Sequence, residues 1–394
     1  MYNEFTYYTP TKVVFGKGTE EKTGALIKEA GAGKALLHYG GGSAARSGLL
    51  DRIKKSLADE GIACVELGGV KPNPRLSKVY EGIELGRKED VDFILAVGGG
   101  SVIDSAKAIA LGLANPEDDV WSYYIREKTT DRTLPVGSVL TIAAAGSEMS
   151  DGSVITKEEE NLKRDFGGDF MRPVFAVMNP ELTATLPEYQ TSCGVADILM
   201  HTMERFFNRE DNMEITDDLA IALMRDVMAQ GRILMKDPSN YEARANVMWA
   251  GSLSHNGLTG CGANGGDWAT HNMEHEMGGL FDVAHGAGLA AIWGSWARYV
   301  HPAAPHRFVK FAQRVLDVDG TGTEEEIIER GIQAMEEFYR EIKMPTSMKE
   351  LGIEPTEEQI RWMAQSCEIK AGGANGAVIP LKKEDMEQIY KMAL

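Results

Sequence analysis

Phe93-Ile94-Leu95-Ala96-Val97-Gly98-Gly99-Gly100-Ser101-Val102-Ile103-Asp104-Ser105-Ala106-Lys107 runs a short apolar β-rich segment through three glycines into a helical pattern. Glycines at a strand-to-helix turn let backbone amides approach a phosphate, and the helix N-terminus adds partial positive charge. A plain turn rarely needs three glycines in succession, so Gly98, Gly99, Gly100 and Ser101 are read as a phosphate loop. The same rhythm extends outward. Lys34–Tyr39, Ala63–Leu67, Val136–Ile142 and Val174–Met178 are further strand candidates, with helical patterns over about 46–60 and 75–88. Strand and helix in alternation imply an α/β domain with a parallel, Rossmann-like sheet covered on both faces.

After Asn179-Pro180 the texture changes to long stretches of 3.6-residue period with almost no β-rich run. The boundary is placed near 187, giving an α/β nucleotide-binding domain over 1–187 and an all-α domain over 188–394. At 394 residues, two domains are also the expectation from length alone. The formal charge of −18 disfavours nucleic acid and anionic membrane surfaces as partners. No segment approaches the ~20 apolar residues of a membrane span, and the N-terminus does not read as a leader, so a cytoplasmic location is expected. Cys64, Cys193, Cys261 and Cys367 show no metal-knuckle or redox spacing and are read as reduced and structural. The acidic runs Glu158–Glu160 and Glu324–Glu326 are read as solvated surface.

The helical half carries the other chemistry. His271, His275 and His285 place three of eight histidines within fifteen residues, and Asp197 and His201 stand four apart upstream. A four-residue step on a helix returns to the same face about 40° round and about 6 Å along. Mixed imidazole and carboxylate ligands with one position open are the usual form of a catalytic divalent site. Spacing alone does not divide the five residues into ligands and neighbours. It does exclude His-Glu-x-x-His: Asn272 follows His271 and the glutamate is at 274.

A second cluster, Gly40-Gly41-Gly42-Ser43-Ala44-Ala45, leaves the cofactor open. It fits the looser dinucleotide pattern, with Glu66 at the end of the next strand to hold a ribose, which implies NAD. Alternatively the pyrophosphate lies at 98–101 and residues 40–43 receive the adenosine end, where Ser43 and Arg46 would accept a 2′-phosphate.

Tyr39–Ser43, Lys71-Pro72-Asn73-Pro74, Gly98–Asp104, Gly146-Ser147-Glu148-Met149, Gly194–His201 and the block from Asp267 to Gly286 together resemble the iron-dependent, group III alcohol dehydrogenases. The similarity is to the butanol-dehydrogenase-like, NADPH-preferring aldehyde reductase branch and covers essentially the whole chain. It implies a nucleotide-binding α/β domain, a helical domain and a site between them, the architecture shared with dehydroquinate synthase and glycerol dehydrogenase. By this resemblance Asp197, His201, His271 and His285 are the metal ligands, and His275 is the nearby proton carrier. Gly98–Ser101 form the pyrophosphate loop, Asp104 and Thr141 lie beside the nicotinamide, and Gly40, Gly41, Gly42, Ser43 and Asn73 complete the cofactor residues. His275 and Asp104 are then the expected catalytic pair.

NAD-selective members carry an aspartate near position 40, where this chain has Gly40, so NADPH is the expected cofactor, with NAD also accepted. Ala44-Ala45-Arg46 supplies one basic residue where relatives in the branch often have two, and Ala143–Ala145 replace more polar residues of the cofactor pocket. The expected ion is Fe(II), with zinc or nickel as alternatives. The implied activity is hydride transfer between NADPH and short to medium aliphatic aldehydes, butanal being the type, with Trp268, Phe166 or Met149 as candidate pocket walls. Two other readings stand beside it: a glycerol-dehydrogenase-like NAD enzyme acting on polyols, and a non-catalytic nucleotide- or metal-binding protein. A homodimer is the family expectation, with Thr11–Phe15 as an exposed sheet edge able to pair across a two-fold axis.

Overall fold

The computed structural model describes residues 3–394. Contacts divide it into two compact units, Tyr8–Thr185 and Leu186–Leu394, the latter also taking in residues 3–7. Strands β1 (Lys12–Phe15), β2 (Lys34–Tyr39), β3 (Ala63–Leu67), β4 (Phe93–Gly98), β5 (Val136–Leu140) and β8 (Phe175–Met178) form one parallel sheet in the order β1-β8-β5-β4-β2-β3. Between them run α1 (Thr23–Glu29), α2 (Ser43–Arg46), α3 (Leu49–Asp59), α4 (Leu76–Lys88), α5 (Gly100–Ala114) and α6 (Trp121–Tyr124). Parallel neighbours need such crossovers, because a tight hairpin can only reverse the strand direction.

Central β4 is buried along its whole length, which is why it reads as an unbroken apolar run rather than an alternating one. Phe93, Leu95 and Val97 pack with Leu26 and Ile27 of α1 and with Ile53 and Leu57 of α3. Ile94 and Ala96 point the other way, toward the face covered by α4 and α5. Those two helices mesh through glycine: a Cβ on Gly82 would fall 2.3 Å from Ile109 Cδ1, and one on Gly112 2.2 Å from Ile83 Cδ1. The chain steps outward from β2 to β3, then turns back past β2 to β4. Strand order therefore reverses between β2 and β4, the place where open parallel sheets receive ligands beyond their carboxyl ends.

Three details depart from the sequence reading. The helical pattern over 46–60 is broken by Gly48, whose φ of 71° separates α2 from α3. Strand β5 stops at Leu140, and the last bond to β4 runs from Thr141 N to Gly98 O at 3.0 Å. An antiparallel hairpin of β6 (Gly152–Lys157) and β7 (Leu162–Gly167) has no counterpart among the expected strands, and Glu158–Glu160 make its turn.

The second unit consists of helices: α7 (Glu188–Phe206), α8 (Glu214–Lys236), α9 (Tyr241–His255), α10 (Ala269–Phe281), α11 (His285–Val300), α12 (Pro305–Val315), α13 (Glu324–Glu341), α14 (Met348–Leu351), α15 (Glu357–Lys370) and α16 (Lys383–Met392). Helix α7 is buried on nearly all sides and packs on α8, α9 and α11, while α10 packs on α11 and α15. Glu324–Glu326 are exposed in the first turn of α13, where Thr323 and Glu326 form a capping box and negative charge suits the helix dipole. All four cysteines stand outside any disulfide. No helix among the described residues is long and apolar enough to cross a membrane.

Candidate metal centre and nucleotide loop

Asp197 and His201 lie one turn apart on α7, His271 and His275 one turn apart on α10, and His285 is the first residue of α11. Close helix crossings bring them together. A Cβ on Gly286 would lie 2.1 Å from Cys193 O of α7, and one on Gly288 2.9 Å from Glu274 Cγ of α10. These two glycines let α11 settle against both other helices beside the ligand candidates.

Asp197 Oδ1 stands 3.6 Å from His201 Nδ1, 3.9 Å from His271 Nε2 and 3.7 Å from His285 Nε2. These separations are too long for hydrogen bonds. They are close to the ~3.3 Å expected between ligand atoms spaced tetrahedrally at about 2.0–2.1 Å from one ion. Asp197 Oδ1, His201 Nδ1 and His271 Nε2 are moreover buried without a hydrogen-bond partner. Orphaned polar atoms in a protein interior are costly, and three aimed at one another mark a place that a divalent cation fits.

The surrounding charges agree with that fit. Burial opposes the charge of Asp197, but the imidazoles of His201, His285 and His271 outweigh it and hold the carboxyl well below the usual carboxylate range. Burial drives His201 far below its ordinary value, into the neutral form that ligates. His271 feels the same burial, yet the neighbouring carboxylates of Asp197 and Glu204 overcome it and raise its pKa. An ion at the centre would take the place of the proton these carboxylates draw onto the ring.

Two carboxylates not singled out in the sequence orient the rings. Glu204 Oε1 accepts from His271 N at 2.9 Å and lies 3.0 Å from His271 Nδ1, and Glu274 Oε2 pairs with His285 Nδ1. A carboxylate on the far ring nitrogen fixes the imidazole's tautomer and turns its other nitrogen toward the metal. Glu204 was accessible by pattern, since 197, 201 and 204 are spaced i, i+4, i+7 on α7. His255 was not: its ring packs on His201 with centroids 4.0 Å apart from a different helix. His275 is the member of the set that does not face Asp197. Its ring lies 5.7 Å from that of His285, and its Nδ1 meets Lys370.

The candidate nucleotide residues all lie within the first unit. Gly40 follows β2 and Gly98 ends β4, neighbouring strands on either side of the reversal point. A Cβ on Gly40 would touch Val102 of α5 at 3.8 Å, and Thr141 is tied to Gly98 by the bond already noted. Gly99 and Gly100 serve packing: added Cβ atoms would fall 2.9 Å from Ile142 and 2.8 Å from Ala145. Helix α5 starts with no side chain capping it. Gly42, at φ 100°, turns the chain into α2, leaving Ser43 and Arg46 exposed. Asn73 is buried with φ 50°. Asp104 binds inward, accepting from Ser147 Oγ at 2.5 Å and from Val154 N at 2.9 Å, and so anchors the hairpin. Glu66 is held by Lys54 at 3.2 Å and by the Tyr39 hydroxyl at 3.4 Å. Of the candidate pocket walls, Trp268 stands 5.2 Å from the His271 ring, Phe166 joins an aromatic cluster with Tyr123, Tyr124 and Phe170, and Met149 is buried.

Family models cover both units: residues 10–180 match the iron-containing alcohol dehydrogenase model, and residues 191–394 match the C-terminal model of the Fe-containing alcohol dehydrogenase family. The chain belongs to the iron-containing alcohol dehydrogenase family. As a member it is an oxidoreductase of the alcohol dehydrogenase and aldehyde reductase type, with a nicotinamide nucleotide and an iron-type metal as cofactors. It is 39% identical over 388 residues to NADH-dependent butanol dehydrogenase A of Clostridium acetobutylicum, covering 98% of each chain. It is 34% identical over 354 residues to the NADPH-dependent aldehyde reductase YqhD of Escherichia coli, covering 89% of this chain and 90% of that one. Among solved structures, that of NADH-dependent butanol dehydrogenase A from Thermotoga maritima superposes with a TM-score of 0.94 at 38% identity, over 99% of this chain and 98% of that one. The resemblance read from the sequence motifs is thereby borne out for the family and for the fold class.

Proposed function

We propose that Asp197, His201, His271 and His285 hold one divalent ion, Fe(II) in the first instance, and that the enzyme reduces short to medium aliphatic aldehydes with NADPH. The observation that carries the ligand assignment is the set of three buried, unpartnered ligand atoms around Asp197. When bound, the ion supplies Lewis acidity toward a carbonyl oxygen and the nicotinamide supplies the hydride. The chain's own residues do the rest. Glu204 and Glu274 orient the imidazoles, Trp268 walls the metal side with an apolar ring, and His275 delivers a proton to the oxygen that gains charge.

For the nucleotide, the support for NADPH is local. No acidic residue follows β2, Glu66 is already engaged by Lys54 and Tyr39, and Ser43 and Arg46 are free to meet a 2′-phosphate. NADH is the second reading, favoured by the names of the butanol dehydrogenases at 38–39% identity. Comparing kcat/KM for the two nucleotides separates them. We further propose a homodimer, with the sheet edge at β1 as the pairing strand; a monomer by light scattering would remove that reading.

The deciding experiment follows NADPH absorbance with butanal after chelation, then after anaerobic addition of Fe(II) or Zn(II). Activity that disappears and returns with one ion supports the assignment. Activity indifferent to metal would make the histidine cluster structural, and turnover of glycerol with NAD in place of butanal would move the enzyme to the polyol class.

A further inference from the structure

His275 has a partner contributed from the far end of the chain. Lys370, the last residue of α15, places Nζ 2.6 Å from His275 Nδ1. A lysine ammonium offers three N–H donors and no acceptor. Nδ1 is then the acceptor, so the imidazole is neutral and its proton sits on Nε2.

The segment beyond Lys370 is stitched to the N-terminal half of α10 and to Asp267 just before it, on the N-terminal side of that contact. Asn375 Nδ2 donates to Ala269 O at 3.2 Å, and Asn272 Nδ2 to Asn375 Oδ1 at 2.8 Å. Ala377 N and Val378 N donate to Asp267 Oδ2 at 2.8 and 2.7 Å, and the Tyr390 hydroxyl to Met273 O at 2.7 Å. Gly372, Gly373 and Gly376 take positive φ to make the turn between. These bonds fix the end of α15 against the helix that carries His275. Lys370 is half-buried there, so the entropy lost in ordering its long side chain is partly offset by a short, charge-assisted hydrogen bond.

We propose that Lys370 is a positioning residue for proton delivery. Resting on the reading of His275 as the proton carrier, it locks that imidazole in the Nε2–H tautomer and replenishes it. As the Nε2–H bond breaks and an O–H bond forms on the product alkoxide, the Lys370 Nζ–H bond breaks and an N–H bond forms at Nδ1. The imidazole stays neutral throughout and never passes through an imidazolate. Nε2 then takes a proton from solvent as Nδ1 returns its own to the neutral Lys370 amine, which restores both groups, so one proton is consumed per aldehyde reduced.

The test uses the full-length enzyme and the variants Lys370→Met and Lys370→Arg, loaded with the ion that supports turnover for kinetics and with zinc for NMR. We expect Lys370→Met to keep its metal and its KM for NADPH while kcat falls roughly 10- to 100-fold, and Lys370→Arg to recover most of that rate. Nitrogen NMR of the His275 ring gives a second readout, independent of turnover. The wild type should show an accepting Nδ1 and a protonated Nε2, and Lys370→Met should lose that single tautomer. A kcat for Lys370→Met within twofold of wild type, or an unchanged ring spectrum, overturns the proposal. So does a defect confined to KM for carboxylate-bearing aldehydes, which would make Lys370 a receptor for anionic substrates. If the wild type shows no metal-dependent turnover at all, the proposed function fails, while the ring spectra still decide the role of Lys370.

Discussion

Gly98, Gly99 and Gly100 keep open a space that side chains would fill, whereas Asp197, His201, His271 and His285 fill a buried space with ligand atoms. The contrast follows from what each site is proposed to hold. A pyrophosphate is large and diffusely charged, and it is met by backbone amides and a helix end that carry no side-chain cost. A single ion is small and demands donors within a few tenths of an ångström, which requires side chains locked by burial and by carboxylates behind them. The metal centre should therefore break when side chains are removed, and the nucleotide loop when they are added.

The largest effect is expected at His271. His271→Ala removes a ligand and strands Asp197 and His201 around an apolar gap, so the enzyme should lose its metal and at least about 10³-fold in turnover, the scale of several kcal/mol of Lewis-acid stabilisation. Elemental analysis beside kcat checks it; full activity in metal-free protein would overturn the ligand assignment. His275→Ala should instead keep the metal and lose roughly 10²-fold in rate.

A buried histidine in the nucleotide-binding unit sharpens the contrast by having no carboxylate. His38 lies on β2 between Leu67 O and Ser105 Oγ, each at 3.0 Å, and burial pushes its pKa down to about 4. The folded pKa is below the unfolded value, so the stability His38 contributes is fully present above about pH 6.5 and is lost as the pH falls toward 4. That loss should be about 3 kcal/mol. Urea midpoints measured between pH 7 and 4 should fall less steeply for His38→Gln than for the wild type, and parallel slopes would refute the assignment.

Glu204→Gln comes next. It keeps the shape behind His271 and removes the charge, so metal affinity should weaken by roughly 10- to 100-fold, read by competition with a chelator. An unchanged affinity would mean that burial alone holds the ring.

Legibility divided along similar lines. Asp197 with His201, and His271 with His275, could be found because helix periodicity places them on shared faces, and β4 because a doubly covered strand is apolar throughout. Glu204 obeyed the same periodicity but looked like any helical carboxylate, and Glu274 entered only as the residue that spoils a protease motif. His255 and Lys370 reach the site from α9 and α15, and no local pattern encodes which helix ends will meet. The hairpin of β6 and β7 was hidden because its alternation is short and its turn is a run of glutamates, which reads equally well as solvated surface.

The smallest effects should separate adding an atom from removing one at the nucleotide loop. Gly99→Ala introduces a Cβ 2.9 Å from Ile142, so either the isoleucine or the loop must shift. At about 1 kcal/mol for a mild overpacking, NADPH affinity should fall around fivefold. Ser101→Ala deletes a hydroxyl and leaves the amides in place, so it should cost less than that, a few-fold at most. Both dissociation constants can be read by fluorescence titration with NADPH. If Ser101→Ala proved the more damaging, the loop would be holding its ligand through a side chain, and the division drawn between backbone and side-chain recognition would fail at the site where it is most clearly built.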